Sequence, residues 1–237
     1  PGHTHGGPPS ALITRAVEHH EPDPGLALSR IVFDLVRPVP LAPLRVTTST
    51  ARPGQRVQIV EACLTSADGV DLVRARALRV RRTPDTVSSQ APPIEPLGFV
   101  GPADAAPDAR EGPFRPGITR GMELRAAVGT FDAPGPATYW FRLRVPLVDG
   151  EEPTPAQRAV MAADFGNGIS QVLDQRYVFI NPDLIVHLER EPVGEWIALA
   201  ATTRIVPGAG AVAAGVLHDE RGRFGQSEQS LYIAARD

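Results

Sequence analysis

TPAQRAVMAADFGNGISQVL, residues 154–173, is the stretch on which the fold turns. Thr154 is suited to cap a helix, Pro155 fits the first helical position, and Gln157 stands three residues after the cap, the spacing of a capping box. This predicts a helix running toward Leu173. Asp164 interrupts its apolar course, and Gly166 and Gly168 follow. A glycine inside a helix costs about 1 kcal/mol relative to alanine. Such a cost is tolerated where backbone must come close to a ligand or to another helix.

Two strand-like runs precede this helix, Gly121–Phe131 and Ala137–Leu147, and four follow it, near 178–190, 195–206, 211–219 and 226–235. The first half repeats the order. Ser10–His20 (SALITRAVEHH) sets Leu12, Ile13, Ala16 and Val17 at helical spacing behind Pro8 and Pro9. Four runs rich in Val, Ile, Leu and Thr come next, near 27–36, 43–52, 55–66 and 71–82, parted by turn signals such as Arg52-Pro53-Gly54 and Asp68-Gly69. Between the halves, Thr83–Gly117 is dense in Pro, Gly and Ala. It is expected to be an exposed connection that wraps the fold or is partly disordered.

One helix followed by four strands therefore occurs twice, which predicts an α+β fold of two tandem units. They cover 1–82 and 118–237, joined by a linker over 83–117. A long antiparallel sheet buries a helix on its concave face, and two such units can pack as a pseudo-dimer within one chain. Nothing in the first half matches the two strands ahead of the second helix, and the chain opens at Pro1 without a methionine. Missing N-terminal residues are the expectation.

Composition narrows the function classes. A net charge of −3 and a pI near 6.1 do not suit a protein that tracks a nucleic-acid backbone. No apolar run reaches the roughly 18 residues that a membrane helix needs. No charged-then-apolar leader opens the sequence, so a cytoplasmic location and no membrane partner are expected. Every basic residue is arginine, which fits codon bias in a GC-rich genome. The one cysteine, Cys63, lies in a strand-like run and reads as a spectator.

Several segments, taken in order, resemble the double-hotdog acyl-CoA thioesterases of bacteria and peroxisomes, and more closely a group of bacterial thioesterase-family proteins. They are HGGPPSALITRAVE (5–18), FDLVRPV (33–39), GPATYWFRLRVPL (135–147), MAADFGNGIS (161–170), INPDLIVHLEREPVGEWIAL (180–199) and GQSEQSLYIAAR (225–236). The resemblance spans nearly the whole chain outside the linker. It implies two hotdog units, each a long sheet wrapped on a central helix. It also implies hydrolysis of an acyl thioester, of CoA or of a carrier protein, with no metal or other cofactor. Such proteins often pair their sheets, so a homo-oligomer is expected.

In that family the second unit supplies a carboxylate from its helix, a hydroxyl from the next strand and a glutamine from the last strand, which together hold and activate a water. By motif the carboxylate resembles Asp164 and the glutamine Gln229, with Gln226 and Glu228 as substitutes if the register slips. The hydroxyl position falls on Asn181, a departure from Thr or Ser, although an amide can also bond a water. Oxyanion donors are sought at the backbone N–H near Gly166, and at Gly6 and Gly7 where the first helix opens. The plain reading is that these glycines only form a tight turn or let helices touch, with Asp164 a helix cap.

The run Arg74, Arg76, Arg79, Arg81, Arg82 reads first as a solvated sheet face or edge. Its functional reading, with Arg74 and Arg76 foremost, is a landing site for CoA or phosphopantetheine phosphate. His3, His5, His19 and His20 lack a second cluster of ligands at metal spacing. His187 and His218 read as packed or surface residues, and Tyr139, Trp140, Phe141 and Trp196 as packing. Two other classes stay open. A hotdog dehydratase or hydratase would need a histidine on an element facing the carboxylate, and no histidine lies near Asp164 in sequence. A non-catalytic acyl-ligand binder would hold Asp164 away from any pocket or locked in an ion pair.

Overall fold

The computed structural model describes residues 2–108, 117–174 and 176–236. Helix α1 (Gly7–His19) is followed by β1 (Leu26–Leu35), β2 (Leu44–Arg52), β3 (Val57–Ser66) and β4 (Asp71–Arg81). The second half brings β5 (Ala106–Pro107), β6 (Met122–Val128), β7 (Ala137–Leu143), α2 (Pro155–Ala163) and the single turn α3 (Gly166–Ile169). It continues with β8 (Tyr177–Ile180), β9 (Asp183–Leu188), β10 (Ile197–Ile205), β11 (Ala211–Asp219) and β12 (Gly222–Ala235).

All strands join one antiparallel sheet, ordered β2-β3-β4-β1-β9-β12-β11-β10-β7-β6-β5, with β8 paired to the far end of β12. Outward from the β1–β9 seam the two halves run in the same order, β1-β4-β3-β2 on one side and β9-β12-β11-β10 on the other. This is the expected single-chain pair of hotdog units. The second half carries β7, β6 and β5 beyond that order.

Each helix lies on the inner face of its own half, and the two run antiparallel against each other. The start of α1 meets the end of α2, where a side chain on Gly7 would sit 3.1 Å from the Met161 carbonyl. At the opposite ends, Glu18 of α1 accepts from the Thr154 hydroxyl (2.8 Å) and the Gln157 amide (2.7 Å). Thr154 caps α2 as expected, accepting the Gln157 N–H, but the Gln157 side chain is spent on the other half rather than on closing the capping box. Burial pushes the Glu18 carboxyl above its ordinary value, against the pull of these two donors.

Two expectations need amending. The helix predicted to reach Leu173 stops at Ala163 and resumes for one turn at Gly166. Side-chain donors take carbonyls that a continuous helix would bond internally: Gln229 Nε2 from β12 donates to Asp164 O (3.2 Å), and Ser170 Oγ, at the end of α3 itself, to Gly166 O (2.9 Å). The run predicted as one strand near 178–190 is two, broken at Asn181-Pro182. Proline has no N–H to give a ladder, and the Pro182 carbonyl receives Leu35 N–H instead. The described part of the linker runs as a largely exposed strap over the outer face of the sheet. Leu97 and Phe99 pack on Trp140, and Trp140 Nε1 donates to Val100 O (2.9 Å). This covering explains why β7 is buried on both faces from Ala137 to Phe141.

Candidate functional site

Asp164 stands at the end of α2, where the chain leaves the helix beneath the first turn of α1. Its side chain is 2% exposed. Burying a carboxylate is costly unless donors surround it, and donors do. Asn181 Nδ2 approaches Oδ1 at 2.9 Å from the β8–β9 break, and Gln229 Nε2 approaches the same oxygen at 3.2 Å from β12. Gln229 is fixed at both ends of its amide, since its Oε1 accepts the Asn167 N–H at 3.0 Å. Of the three candidates on the last strand, Gln229 points inward, while Gln226 and Glu228 lie on the exposed face.

The other carboxylate oxygen faces a residue that sequence spacing did not offer. His5, from the segment leading into α1, places Nδ1 2.7 Å from Asp164 Oδ2. Its ring stacks on Phe165 with centroids 4.6 Å apart and planes 24° from parallel. A third of the His5 side chain stays exposed. Burial lowers its pKa, the charge and hydrogen bond of Asp164 raise it, and the balance lies above the ordinary 6.5. The signal lies in His5-Gly6-Gly7, the opening of α1, which the repeat of the two halves sets facing the second helix. In the sequence the histidine is weighed only as a metal ligand, since its contact with Asp164 is made by packing and not by spacing.

The glycines are where close approach demands them. A Cβ on Gly6 would sit 2.7 Å from Asp164 Oδ2, and one on Gly166 would sit 2.7 Å from Gln229 Oε1. Gly7 directs its N–H at His5 Nδ1 from 3.3 Å. Asp164, Asn181, Gln229, Gly6, Gly7 and Gly166 thus form one cluster. Beside it, His5 and Met161 line an apolar pocket of about 460 Å³, whose walls include Leu41, Ile118, Met122 and Leu147. Asp164 does not line this pocket, the mark of a non-catalytic binder, but its Oδ2 meets Nδ1 of a histidine that does.

Arg74 and Arg76 lie outside the cluster. They project from the exposed face of β4, paired with Asp71 (2.7 Å) and Glu61 (3.8 Å), and border a separate cavity. Arg79, from the same run, turns inward and is 5% exposed. Its guanidinium donates to the carbonyls of Val17, His20 and Glu21 and to Gln58, closing the end of α1. His218 is buried edge-on against Phe99 under the strap, which lowers its pKa, and His187 is exposed on β9.

No helix among the described residues is long and apolar enough to cross a membrane. Comparison with known proteins gives the assembly its family. Residues 1–80 match a family model described as the acyl-CoA thioesterase N-terminal domain, and residues 101–233, more than half of the chain, match the corresponding C-terminal domain. No curated protein sequence matches the chain. Among solved structures, a conserved protein of unknown function with a hot dog fold from Alicyclobacillus acidocaldarius superposes with a TM-score of 0.77 at 15% identity, covering 98% of this chain and 88% of that one. The acyl-CoA thioesterase II TesB2 from Mycobacterium marinum gives 0.66 at 16% identity, covering 100% and 91%. At such identities these two attest the fold, and the family models carry the assignment. Two hotdog halves in one chain, matched by both domain models in order, make this protein a member of the acyl-CoA thioesterase family, an enzyme of thioester hydrolysis.

Proposed function

We propose that the chain hydrolyses an acyl thioester, of CoA or of a carrier protein, at the carboxylate assembly of Asp164, Asn181 and Gln229. The observation that carries this reading is the carboxylate itself: nearly inaccessible, held by two amide donors, and joined through His5 to an apolar pocket at the junction of the halves. Hydrolysis of a thioester needs a water made nucleophilic and a donor for the oxygen that becomes negative. In this reading the assembly provides the first. The backbone N–H groups of Gly6, Gly7 and Gly166, at helix starts beside the carboxylate, are the donors assigned to the second. Asn181 takes the place of the usual hydroxyl by giving Asp164 a hydrogen bond. Cytoplasmic function as a homo-oligomer, in lipid metabolism and without a cofactor, completes the reading.

The test is thiol release from short, medium and long acyl-CoAs by wild type and Asp164→Asn. A loss of about 10²-fold or more in the variant, the reach of general-base and water-positioning groups, is expected. Equal rates in both proteins would remove Asp164 from the chemistry. One observation favours a second reading, since a histidine facing a carboxylate is also what a hydratase or dehydratase needs. Loss of the enoyl absorbance from an enoyl-CoA, without thiol release, would select it.

A further inference from the structure

We propose that His5 is the group that takes the proton from the attacking water, with Asp164 behind it fixing the ring's tautomer, and that the adjoining apolar pocket receives the acyl chain. This deepens the hydrolase reading above and rests on it. The geometry separates the two residues. Asp164 has one oxygen engaged by Asn181 and Gln229 and the other by His5, and its side chain is all but enclosed. His5 is the member of the pair that is partly exposed and lines the pocket.

The ring's protonation follows from its contacts. Nδ1 cannot both donate to Asp164 at 2.7 Å and accept the Gly7 N–H at 3.3 Å. The shorter, charge-assisted bond wins, so Nδ1 carries the hydrogen and Nε2 holds the lone pair. Among the described residues Nε2 has no protein partner. Phe165 supports one face of the ring, so rotation out of this alignment would forfeit the stacking contact. The pocket, about 460 Å³ and walled by Leu41, Ile118, Met122, Leu143, Leu147 and Met161, lies within the size range of small-molecule sites. Its lining suits a hydrocarbon chain rather than the charged CoA moiety.

The step balances without any co-reactant. Water oxygen bonds to the thioester carbonyl carbon while its proton passes to Nε2, and the carbonyl electron pair moves onto oxygen. The pair then returns, the carbon–sulfur bond breaks with its electrons on sulfur, and the proton on Nε2 passes to the thiolate. The products are a carboxylic acid and a thiol, and His5 is neutral again. The titratable groups around His5 are Asp164, from the end of α2, and His3, on the same pocket wall. Phe165 and Met161 face it without charge.

The test is the pH dependence of kcat/KM for acyl-CoA hydrolysis by wild type, His5→Asn and Asp164→Asn. A base must be unprotonated to act, so wild-type kcat/KM should rise with pH through a midpoint above 6.5 and then level. His5→Asn keeps an amide where Nδ1 donates to Asp164 but has nothing in place of Nε2. It should lose about 10²-fold in kcat, with KM little changed and the acidic limb gone, and added imidazole should restore part of the rate. A His5→Asn enzyme as active as wild type with the same pH limb would overturn the proposal, as would a wild-type rate that falls with pH over this range. If Asp164→Asn is inactive while His5→Asn is not, the hydrolase reading stands and this inference alone fails. If wild type hydrolyses no thioester, both fail together.

Discussion

Gly6→Ala offers a sharp test of how tightly the two helix junctions are fitted. Gly6 has φ −65° and ψ −23°, an ordinary helical conformation. On backbone grounds alone, alanine there should stabilise the fold by about 0.4–1 kcal/mol, by restricting the unfolded chain. The surroundings oppose this. The new Cβ would lie 2.7 Å from Asp164 Oδ2, 3.0 Å from Oδ1 and 3.1 Å from Cγ, whereas ordinary contact begins at 3.4 Å. The carboxylate must therefore yield by several tenths of an ångström, yet it is pinned by His5, Asn181 and Gln229. Overpacking of this kind costs about 1–3 kcal/mol, so the net change in stability is a small loss. The larger effect falls on chemistry, where a misplacement on the order of 1 Å can cost about 10²-fold. Gly168→Ala is the matched control, because a Cβ there meets nothing within 4 Å. Thermal melts together with thiol release from an acyl-CoA would read both variants. Gly6→Ala should melt near wild type and turn over about 10²-fold more slowly, and Gly168→Ala should melt slightly higher with unchanged turnover. A fully active Gly6→Ala enzyme would refute the argument that the missing side chain is what lets the carboxylate stand where it does.

Two further outcomes follow from the same contacts. Asn181→Ala removes a hydrogen bond to a carboxylate, worth about 1.5–3 kcal/mol, so kcat should fall by about 10- to 100-fold. Asn181→Thr, which keeps a donor, should lose less, and steady-state kinetics at saturating acyl-CoA would separate them. Arg79→Ala leaves the end carbonyls of α1 without their charged donor and releases Glu21 from its left-handed turn at φ 41°. A loss of about 1.5–3 kcal/mol in urea unfolding is expected, and a wild-type midpoint would show that Arg79 is not holding the helix.

The sequence by itself determined the architecture. Alternating apolar runs separated by Pro, Gly and Asp turns, twice preceded by a helical pattern, report local backbone preferences and burial of one face, and most of these runs survive into the fold within a residue or two at each end. It also marked Asp164, a charge in an apolar helix flanked by glycines, and Gln229, by motif on a strand whose alternation turns it inward. Local pattern overran the ends of β6 and β7, read to Phe131 and Leu147 but closing at Val128 and Leu143, and overran again where other hydrogen bonds replace those of helix and ladder. Gln229 takes the Asp164 carbonyl where the second helix breaks, Ser170 turns its own hydroxyl back onto Gly166 O, and Asn181 uses the gap at Pro182 to reach the carboxylate. Nor could periodicity separate Arg79 from its exposed neighbours, since burial there is decided by the end of α1 above it. The pairing of His5 with Asp164 belonged wholly to the tertiary structure. It depends on two antiparallel helices from opposite halves meeting end against start, and the distance between two side chains so remote in the chain is set by packing rather than by any local preference.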